Sequence, residues 1–279
     1  MEIRIPEEIS LRKIAESGQC FRWRRTGENA YKIPFGNRML KIEQPEPELL
    51  RMNCTEEEYA SVWKGYLDLD TDYGKMNAKI RKRKDPFLWN AMNAQRGVRI
   101  LRQDTWEMLI TSIITQNRNI PAIQKSVELL SEKAGTKLTD PEGEEFFAFP
   151  TPEQLHRMTD DCLGCCKLGY RMGYIRGAAE AVYSGKVRLD EIRELPDAEC
   201  RTRLTALTGV GEKVAACVML FGLHRLNAFP MDVWMKRITA NEYPDGYPFD
   251  DYSPYNGVFQ QYMFAYYREL ATGSVIQPV

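Results

Sequence analysis

The arrangement of apolar residues differs between the early part of the chain and the rest. The first roughly 70 residues contain short β-branched or aromatic stretches separated by turn-forming Gly, Asn and Pro. These stretches are MEIRI (1–5), CFRWRR (20–25), AYKIPFG (30–36) and RMLKIEQ (38–44). They predict a small antiparallel sheet.

From Thr55 onward the apolar positions recur with a period near 3.6, which is typical of amphipathic helices. Together the two patterns predict an α+β fold, with a small N-terminal antiparallel β-sheet subdomain followed by two all-α subdomains. The predicted helices are Thr55–Leu67, Asp85–Arg96, Thr105–Thr115, Ile120–Lys133, Pro152–Met158, Met172–Ser184, Asp190–Leu195, Ala198–Ala206, Glu212–Leu223, Asp232–Thr239 and Val258–Ala271.

Composition indicates an ordinary globular protein, with 43% hydrophobic and 28% charged residues and a formal charge of −1. A nearly neutral chain has no overall field to attract nucleic acid, so any site for a polyanion must be local. The densest basic run, KIRKRKD at 79–85, favours a solvated helix end before Pro86 over a phosphate-contact patch. The longest apolar run, near 214–223, is about half of the roughly 20 residues that a membrane span needs.

The seven cysteines do not form the paired pattern of a zinc ribbon or a disulfide scaffold, and we expect reduced thiols. The cluster CLGCC contains Cys162, Cys165 and Cys166 without a second pair or a nearby histidine, which is weak evidence for a metal. We therefore expect neither a metal nor a cofactor. The N-terminus has no secretory signal pattern, which predicts a cytoplasmic protein.

A glycine hairpin, LTGVG at 207–211, lies between two predicted helices and forms a helix-hairpin-helix motif. Glycine tolerates a positive φ without a steric penalty, so Gly209 and Gly211 allow successive backbone N–H groups to converge. Such groups at a helix N-terminus bind an anion without a charged side chain. Gly-x-Gly by itself favours an ordinary turn between helices, so a phosphate site needs support from its neighbours.

Two ionisable residues stand at the edges of the apolar stretch after the hairpin. Lys213 comes two residues after Gly211, and burial beside apolar surface favours the neutral, nucleophilic amine used in Schiff-base chemistry. Asp232 stands at a predicted helix N-cap, a position that supports an ionised carboxylate. That carboxylate could stabilise positive charge on a sugar or take a proton from the lysine. Taken alone, Asp232 is better interpreted as a helix cap.

The span 207–237, LTGVGEKVAACVMLFGLHRLNAFPMDVWMKR, resembles the signature of the helix-hairpin-helix DNA glycosylase superfamily, in which a lysine after the hairpin marks the bifunctional branch. Four further motifs resemble those of the 8-oxoguanine DNA glycosylases. The motifs follow one another in the same order as in that family, over nearly the whole chain. They are GQCFRW (18–23), ITSIITQNRNI (110–120), KLGYRMGYI (167–175) and PYNGVFQQYMF (254–264).

The resemblance implies a bifunctional glycosylase and AP lyase that excises 8-oxoguanine from duplex DNA after flipping the base into a pocket. By position in the motifs, Lys213 attacks the sugar C1′ and forms a Schiff base whose β-elimination cuts the strand, while Asp232 supports the cationic transition state. The implied subdomains are the sheet (1–75), a linker and helix packing with the C-terminal helices (76–104), a helical subdomain ending in the hairpin (105–211) and a C-terminal helical subdomain (212–279).

The resemblance also implies a pocket for the flipped base. In this pocket the Gly18 carbonyl accepts the N7–H that distinguishes 8-oxoguanine from guanine, and Gln260 reads the Watson–Crick edge. Phe264 and Cys217 sandwich the ring. The spacing agrees, because Lys213 and Cys217 lie four residues apart on one helix face, as do Gln260 and Phe264.

The implied DNA interface uses other residues. Asn117 aligns with the asparagine that fills the gap left by the extruded base, and Tyr170 with the aromatic wedge. Gly209 and Gly211 are expected to hold a phosphate. Trp234 stands where eukaryotic members have a phosphate-binding histidine, which predicts a bacterial or archaeal subtype.

The expected partner is double-stranded DNA containing 8-oxoguanine, bound by a monomer associated with the nucleoid. No cysteine cluster follows the last predicted helix, so the iron–sulfur centre of other superfamily branches is not expected. Two alternatives stay open. One is a glycosylase of the same superfamily for another lesion, such as an alkylated purine, and the other is a non-catalytic helix-hairpin-helix module that binds DNA.

Position 122 generates a prediction about the base opposite the lesion. Eukaryotic members have an arginine there that reads the opposite cytosine, whereas this chain has Ala122. A bidentate arginine contributes roughly 1–3 kcal/mol of discrimination, so we expect excision rates opposite C, A, G and T to differ by about tenfold or less. Single-turnover rates on four duplexes measure this. A preference for cytosine of about a hundredfold would contradict the prediction and indicate readout by Asn117 or Arg118.

Overall fold

The computed structural model describes residues 1–272 and begins with a five-stranded antiparallel sheet in the order β1-β5-β4-β3-β2. Alternate residues of its strands are buried, and Ile33 pairs with Leu40 in the β3–β4 hairpin. The predicted small sheet is confirmed. Its strands are β1 (Glu2–Arg4), β2 (Arg24–Arg25), β3 (Ala30–Phe35), β4 (Arg38–Glu46) and β5 (Leu49–Met52).

The stretch CFRWRR differs from its prediction, because only its last two residues pair in the sheet. Residues 20–23 are all buried instead of alternating. Cys20 and Trp23 belong to the core of the sheet, whereas Phe21 belongs to the core of the helices. This segment therefore joins the two hydrophobic cores, and burial on both sides gives it strand-like composition.

Helices make up most of the chain after β5, as predicted. Two of them contain a wider π turn, at Tyr59–Trp63 and Val218–Gly222. The helices are α1 (Leu11–Glu16), α2 (Glu56–Glu58), α3 (Lys64–Tyr66), α4 (Tyr73–Arg83), α5 (Pro86–Ala94), α6 (Thr105–Ile114), α7 (Ile120–Ala134), α8 (Pro152–Arg157), α9 (Asp160–Gly164), α10 (Arg171–Tyr183), α11 (Leu189–Glu194), α12 (Asp197–Thr205), α13 (Glu212–Cys217), α14 (Val233–Glu242), α15 (Phe249–Tyr252) and α16 (Asn256–Thr272).

Helix α4 was missed because its many Lys and Arg residues conceal a short apolar stripe of Tyr73, Met76 and Ile80. Its N-cap is Asp72, whose Oδ1 accepts a hydrogen bond from the Lys75 amide. Residues 81–84 of the basic run are the exposed last turn of this helix and its C-cap, in agreement with the preferred interpretation, whereas Ile80 is buried and Asp85 is the N-cap of α5. Cations at this end also complement the partial negative charge of the helix C-terminus.

The helical region is not purely helical, which corrects the expectation of all-α subdomains. Strands β6 (Lys137–Thr139) and β7 (Glu145–Phe147) form an antiparallel hairpin between α7 and α8. Lys41 of the N-terminal sheet reaches three acids of this hairpin loop, including Asp140 at 2.8 Å. The hairpin was missed because its strands are only three residues long and obtain part of their support from the N-terminal sheet.

Two hydrophobic clusters hold the described residues together. The smaller lies under the sheet and includes Ile33, Leu40 and Trp63, and the larger runs continuously through the helices from α4 to α16. Helix α16 packs on α5 and α14, while α13 packs on α6 and α12. Within residues 1–272, every helix falls short of the length and apolarity that a membrane crossing requires. Residues 273–279, at the end of the predicted 212–279 subdomain, lie outside the described residues.

Candidate active site

A cleft of about 810 Å³ opens between the helix-hairpin-helix unit, the α6–α7 loop, α14 and α16. Its walls come from parts of the chain that are distant in sequence. The walls include predicted site residues and several residues that were not predicted. The lining residues are Gly18, Phe21, Thr115, Gln116, Asn117, Arg118, Asn119, Ile120, Pro121, Ile123, Gly211, Glu212, Lys213, Val214, Met231, Asp232, Val233, Trp234, Lys236, Phe264 and Arg268.

Lys213 is half-buried on the first turn of α13 and lines the cleft. Its Nζ donates a hydrogen bond to the Thr115 Oγ1 at 3.0 Å. The Thr115 hydroxyl donates its own proton to the Ser112 carbonyl oxygen at 2.7 Å, so its oxygen is left to accept from the lysine. These two hydrogen bonds hold the Lys213 amine at the wall of the cleft.

Asp232 lies on the wall of the same cleft and is also the N-cap of α14. Its Oδ1 accepts a hydrogen bond from the Met235 amide at 2.8 Å. Asp232 therefore caps α14 and lies on the cleft wall at the same time. The cap bond fixes the orientation of its carboxylate. A carboxylate at a helix N-terminus is also stabilised in its charged form by the helix dipole.

Gly18 lies across the cleft with a φ of +82°, a conformation that favours glycine. A β-carbon placed on it would lie 3.3 Å from the Phe264 Cε1 and 3.5 Å from the Arg268 Nη1. The backbone of Gly18 thus lies close to the side chains of helix α16. The structure brings together the first and last of the five motifs.

The glutamine of the GQCFRW motif explains how Gly18 is fixed. Gln19 is fully buried, and its amide bonds to the backbone at two points: Nε2 donates to the Arg99 carbonyl at 2.9 Å, and Oε1 accepts from the Leu101 amide at 2.8 Å. Trp23 donates from its Nε1 to the Tyr66 hydroxyl at 2.8 Å. These buried bonds hold the segment in register beside the cleft.

Cys217 and Gln260 belong to the predicted base pocket but do not line the open cleft. Cys217 is 8% exposed, and burial raises the pKa of its thiol. Gln260 is 4% exposed, and its Oε1 has no hydrogen-bond partner among the described residues. An unpaired buried acceptor costs about 1–3 kcal/mol, so a bound donor at this oxygen would be favourable.

Asn117 and Tyr170 lie together at the rim. The Asn117 Nδ2 donates to the Tyr170 hydroxyl at 3.4 Å, and 55% of the tyrosine is exposed. Asn117 has a φ of +50°. The Arg171 side chain supports this loop conformation, because its Nε donates to the Gln116 carbonyl at 2.9 Å and its guanidinium stacks 4.3 Å from the Tyr170 ring centroid. Two exposed side chains from different loops therefore meet at the rim, and Arg171 contacts both loops.

The two hairpin glycines differ, which corrects the argument that both use a positive φ. Gly209 has a φ of +83°, and a β-carbon there would lie 2.2 Å from the Tyr174 Cγ. Gly211 has a φ of −86° and is the N-cap of α13. No heavy atom of a non-adjacent described residue lies within 4 Å of a β-carbon placed on Gly211. Gly209 shapes the turn, whereas Gly211 leaves open space at the helix N-terminus.

Trp234 lies half-buried on the first turn of α14, with its ring 6.1 Å from the Tyr267 ring. Ala122 lies in the first turn of α7, where its amide donates to the capping Asn119 Oδ1. One turn further, the Ser126 hydroxyl accepts a hydrogen bond from the Arg118 Nη1 at 2.8 Å. The Arg118 guanidinium therefore reaches helix α7 from the loop that precedes it.

Sequence reasoning missed three residues that shape the site. Thr115 holds the lysine amine, Arg171 braces the rim loop, and Arg268 lines the cleft beside Gly18. Thr115 and Arg171 lie inside quoted motifs, so their position in those motifs was an available signal. Arg268 lies beyond the last motif, one helical turn after Phe264, and had no signal in the sequence.

All seven cysteines are free thiols. Across residues 1–272 no group of three His, Cys, Asp or Glu side chains is placed to hold a metal ion. The CLGCC cluster lies at the end of α9, where Cys166 is buried and its Sγ donates to the Cys162 carbonyl.

The chain is similar to known proteins over most of its length. The model of a family described as 8-oxoguanine DNA glycosylase, N-terminal domain, matches residues 2–109. The N-glycosylase/DNA lyase OGG1 of Arabidopsis thaliana is 31% identical over 243 residues, which are 84% of this chain and 66% of the plant protein. The chain therefore spans about two thirds of the length of that relative.

Two solved structures are similar in fold and length. MBOgg1, in complex with a low-affinity DNA ligand, is 35% identical with a TM-score of 0.90, and the match covers 97% of this chain and 96% of that one. The 8-oxoguanine glycosylase/lyase of Clostridium acetobutylicum, in complex with double-stranded DNA containing cytosine opposite 8-oxoguanine, is 34% identical with a TM-score of 0.88, and the match covers 97% and 98%.

The two hairpin glycines generate a paired prediction. Gly209→Ala places a methyl group against Tyr174 at a strained φ, so we expect a loss of about 3 kcal/mol and a Tm lower by roughly 6–12 °C. Gly211→Ala meets open space and should change stability by less than about 1 kcal/mol. Because its methyl group enters the space proposed for a phosphate, Gly211→Ala should weaken DNA binding instead. Thermal unfolding and fluorescence anisotropy with duplex DNA measure the two effects, and equal Tm losses would contradict the distinction.

Proposed function

Because the chain belongs to the family of 8-oxoguanine DNA glycosylases, we propose that it excises 8-oxoguanine from duplex DNA and then cleaves the strand at the resulting abasic site. The observation that carries this proposal is the shared cleft of Lys213, Asp232, Gly18 and Phe264. A potential nucleophile, a carboxylate and a close backbone–aromatic contact face the same space. A flipped-out base is read by hydrogen bonds and by stacking on aromatic side chains, and this cleft offers groups for both beside the nucleophile.

In the first step, the neutral amine of Lys213 attacks C1′ of the flipped nucleotide. The N–C1′ bond forms as the glycosidic bond breaks, and the departing base takes the proton that the amine releases. Asp232 stabilises the positive charge that develops on the sugar, from an orientation fixed by its bond to the Met235 amide. Thr115 holds the amine at its starting position.

In the second step, the sugar ring opens and leaves a Schiff base between Lys213 and C1′. Loss of a proton from C2′ then expels the 3′ phosphate by β-elimination and cuts the strand. This step does not need a base in the pocket. Base release and strand cleavage therefore share the lysine but differ in their dependence on base recognition.

Base recognition rests on acceptors aimed at groups specific to the oxidised purine. The Gly18 carbonyl would accept from N7–H, which guanine lacks. The unpaired Gln260 Oε1 would accept from a donor on the Watson–Crick edge. Phe264 supplies one face of the pocket and Cys217 the other. Because Gln260 and Cys217 do not line the open cleft, the flipped base would have to pass the lining residues to reach them.

The DNA duplex would lie across the rim of the cleft. The N-terminus of α13 at Gly211 is open to receive a phosphate. Asn117 and Tyr170 would occupy and wedge the gap left by the flipped base. Trp234 would contact the backbone near Asp232 as an indole N–H donor. We propose that the protein acts as a monomer associated with the nucleoid of a bacterium or archaeon.

The competing functions make different demands on the site. A non-catalytic DNA-binding module has no need for a lysine that is half-buried in the cleft and held by Thr115. A glycosylase for alkylated purines has no use for a carbonyl acceptor at N7, because the N7 of such a purine carries no proton, whether the alkyl group is on N7 or on another ring atom. A Gly18 carbonyl aimed at N7 would therefore favour the oxidised purine.

Replacement of the nucleophile tests the mechanism. Lys213→Gln should lower both base release and strand cleavage by at least about 10³-fold, because no amine is left to attack C1′. DNA binding should be retained, since the hairpin backbone is unchanged. Borohydride trapping on duplexes with 8-oxoguanine or an abasic site measures the covalent step. A trapped adduct formed by the variant would show that another residue is the nucleophile.

Replacement of the carboxylate separates catalysis from capping. Asp232→Asn keeps a side-chain oxygen for the cap, and Asn caps about as well as Asp, so stability should change by less than about 0.5 kcal/mol. Loss of the charge should slow base excision by about 10²–10³-fold under single turnover. Normal turnover with a large fall in Tm would mean that Asp232 serves only as a cap.

A further inference from the structure

Helix α16 holds the segment before Gly18 through two side chains. The Gln261 Nε2 donates to the Ser17 carbonyl at 2.6 Å, and the Arg268 Nη1 donates to the Glu16 carbonyl at 3.3 Å. Gln261 is only 2% exposed, so its bond is shielded from water. We call these two contacts the α16 clamp.

The clamp flanks the proposed base pocket. Gln261 and Arg268 are seven residues apart, which places them on the same face of the helix two turns apart. Phe264 lies between them along the helix. The position of the clamped segment along α16 therefore determines which part of the Phe264 ring the Gly18 backbone meets.

The Arg268 guanidinium makes a second contact that couples the two sides. It lies 5.4 Å from the Phe264 ring centroid, a distance within the range of a cation–π interaction. It is also 3.5 Å from the place where a Gly18 β-carbon would be. Burial lowers the pKa of Arg268, and the nearby Asp232 carboxylate opposes that shift. One side chain thus touches the aromatic wall and the glycine segment and lies near the acidic end of the cleft.

We propose that Gln261 and Arg268 are positioning residues that set the distance between the Gly18 carbonyl and Phe264, and so determine selectivity for the oxidised purine; this rests on the function proposed above. Selectivity depends on an acceptor aimed at N7–H. An acceptor that moves away no longer bonds to the lesion and no longer repels N7 of guanine. Cleavage at an abasic site uses Lys213 without a base in the pocket and is insensitive to this movement.

Arg268→Met tests the clamp, since Met keeps apolar contact with Phe264 but removes the donors and the charge. We expect excision of 8-oxoguanine to fall by about tenfold or more under single turnover, as for the loss of a hydrogen bond from a charged group. Cleavage of a pre-formed abasic site should fall much less, because any loss of cationic attraction to DNA affects both substrates and cancels in the ratio of the two rates. Arg268→Lys should restore part of the excision rate because a lysine can donate to the same carbonyl. Gln261→Met should show the same difference between the two substrates.

Arg237→Met is the matched control. The Arg237 guanidinium also lies over an aromatic ring beside the cleft, 5.6 Å from the Trp234 centroid, but no contact joins it to segment 16–18 among the described residues. Loss of this cation should affect the two substrates equally.

Three outcomes decide the proposal. A selective loss of 8-oxoguanine excision in Arg268→Met, with partial rescue by Arg268→Lys, supports it. An equal loss on both substrates, or no loss, overturns it and leaves Arg268 as a general DNA contact or a surface residue. A wild-type protein that cleaves abasic sites but releases no 8-oxoguanine would refute the proposed function itself, before any variant is compared.

Discussion

The close approach of Gly18 to Phe264 brings segments from opposite ends of the chain to the lining of the cleft, because a β-carbon on Gly18 would lie 3.3 Å from the Phe264 Cε1. It requires a backbone without a side chain, held in the left-handed region at a φ of +82°. Glycine adopts this conformation without a steric penalty but is also the most flexible residue, so neighbouring bonds are needed to hold the segment in place. Gln19 holds it from the loop before α6, and Gln261 holds it from α16. Buried amide side chains with satisfied bonds are well suited to this role, because they are specific in geometry and costly to leave unpaired.

The same segment fixes the two hydrophobic cores relative to each other. Arg22 is 4% exposed and donates to the Phe147 carbonyl at 2.5 Å, with Glu107 and Glu128 each 3.6 Å from its guanidinium. Burial and the neighbouring acids raise the pKa of Glu107 to about 7, although Arg22 opposes the shift. A buried charged group needs such partners, and these come from α6, α7 and the β6–β7 hairpin. The motif GQCFRW therefore serves largely to connect the two cores, and Gly18 and Phe21 are the parts of it that line the cleft.

Charge is distributed unevenly, so that a nearly neutral protein has a locally cationic cleft. The acidic residues of the β6–β7 hairpin loop form ion pairs with Lys41 and Lys32 of the N-terminal sheet. The lining of the cleft, by contrast, includes four cationic side chains, Arg118, Lys213, Lys236 and Arg268, against two acidic ones, Glu212 and Asp232. Local separation of charge provides an attractive potential that the net charge of −1 does not reveal.

Local periodicity, caps and turn residues were enough to predict the sheet, most of the helices and the hairpin. Motif resemblance also predicted Lys213, Asp232 and Gly18 as site residues. Packing between distant segments determines which residues share the cleft: it adds Thr115 and Arg268 to the lining and leaves Gln260 and Cys217 away from its open wall. Helix α4 and the β6–β7 hairpin were missed because charged residues hid the apolar stripe of one and the other depends on a distant sheet. Contacts between segments far apart in the chain leave no periodic signal, so they emerge only when the cores pack together.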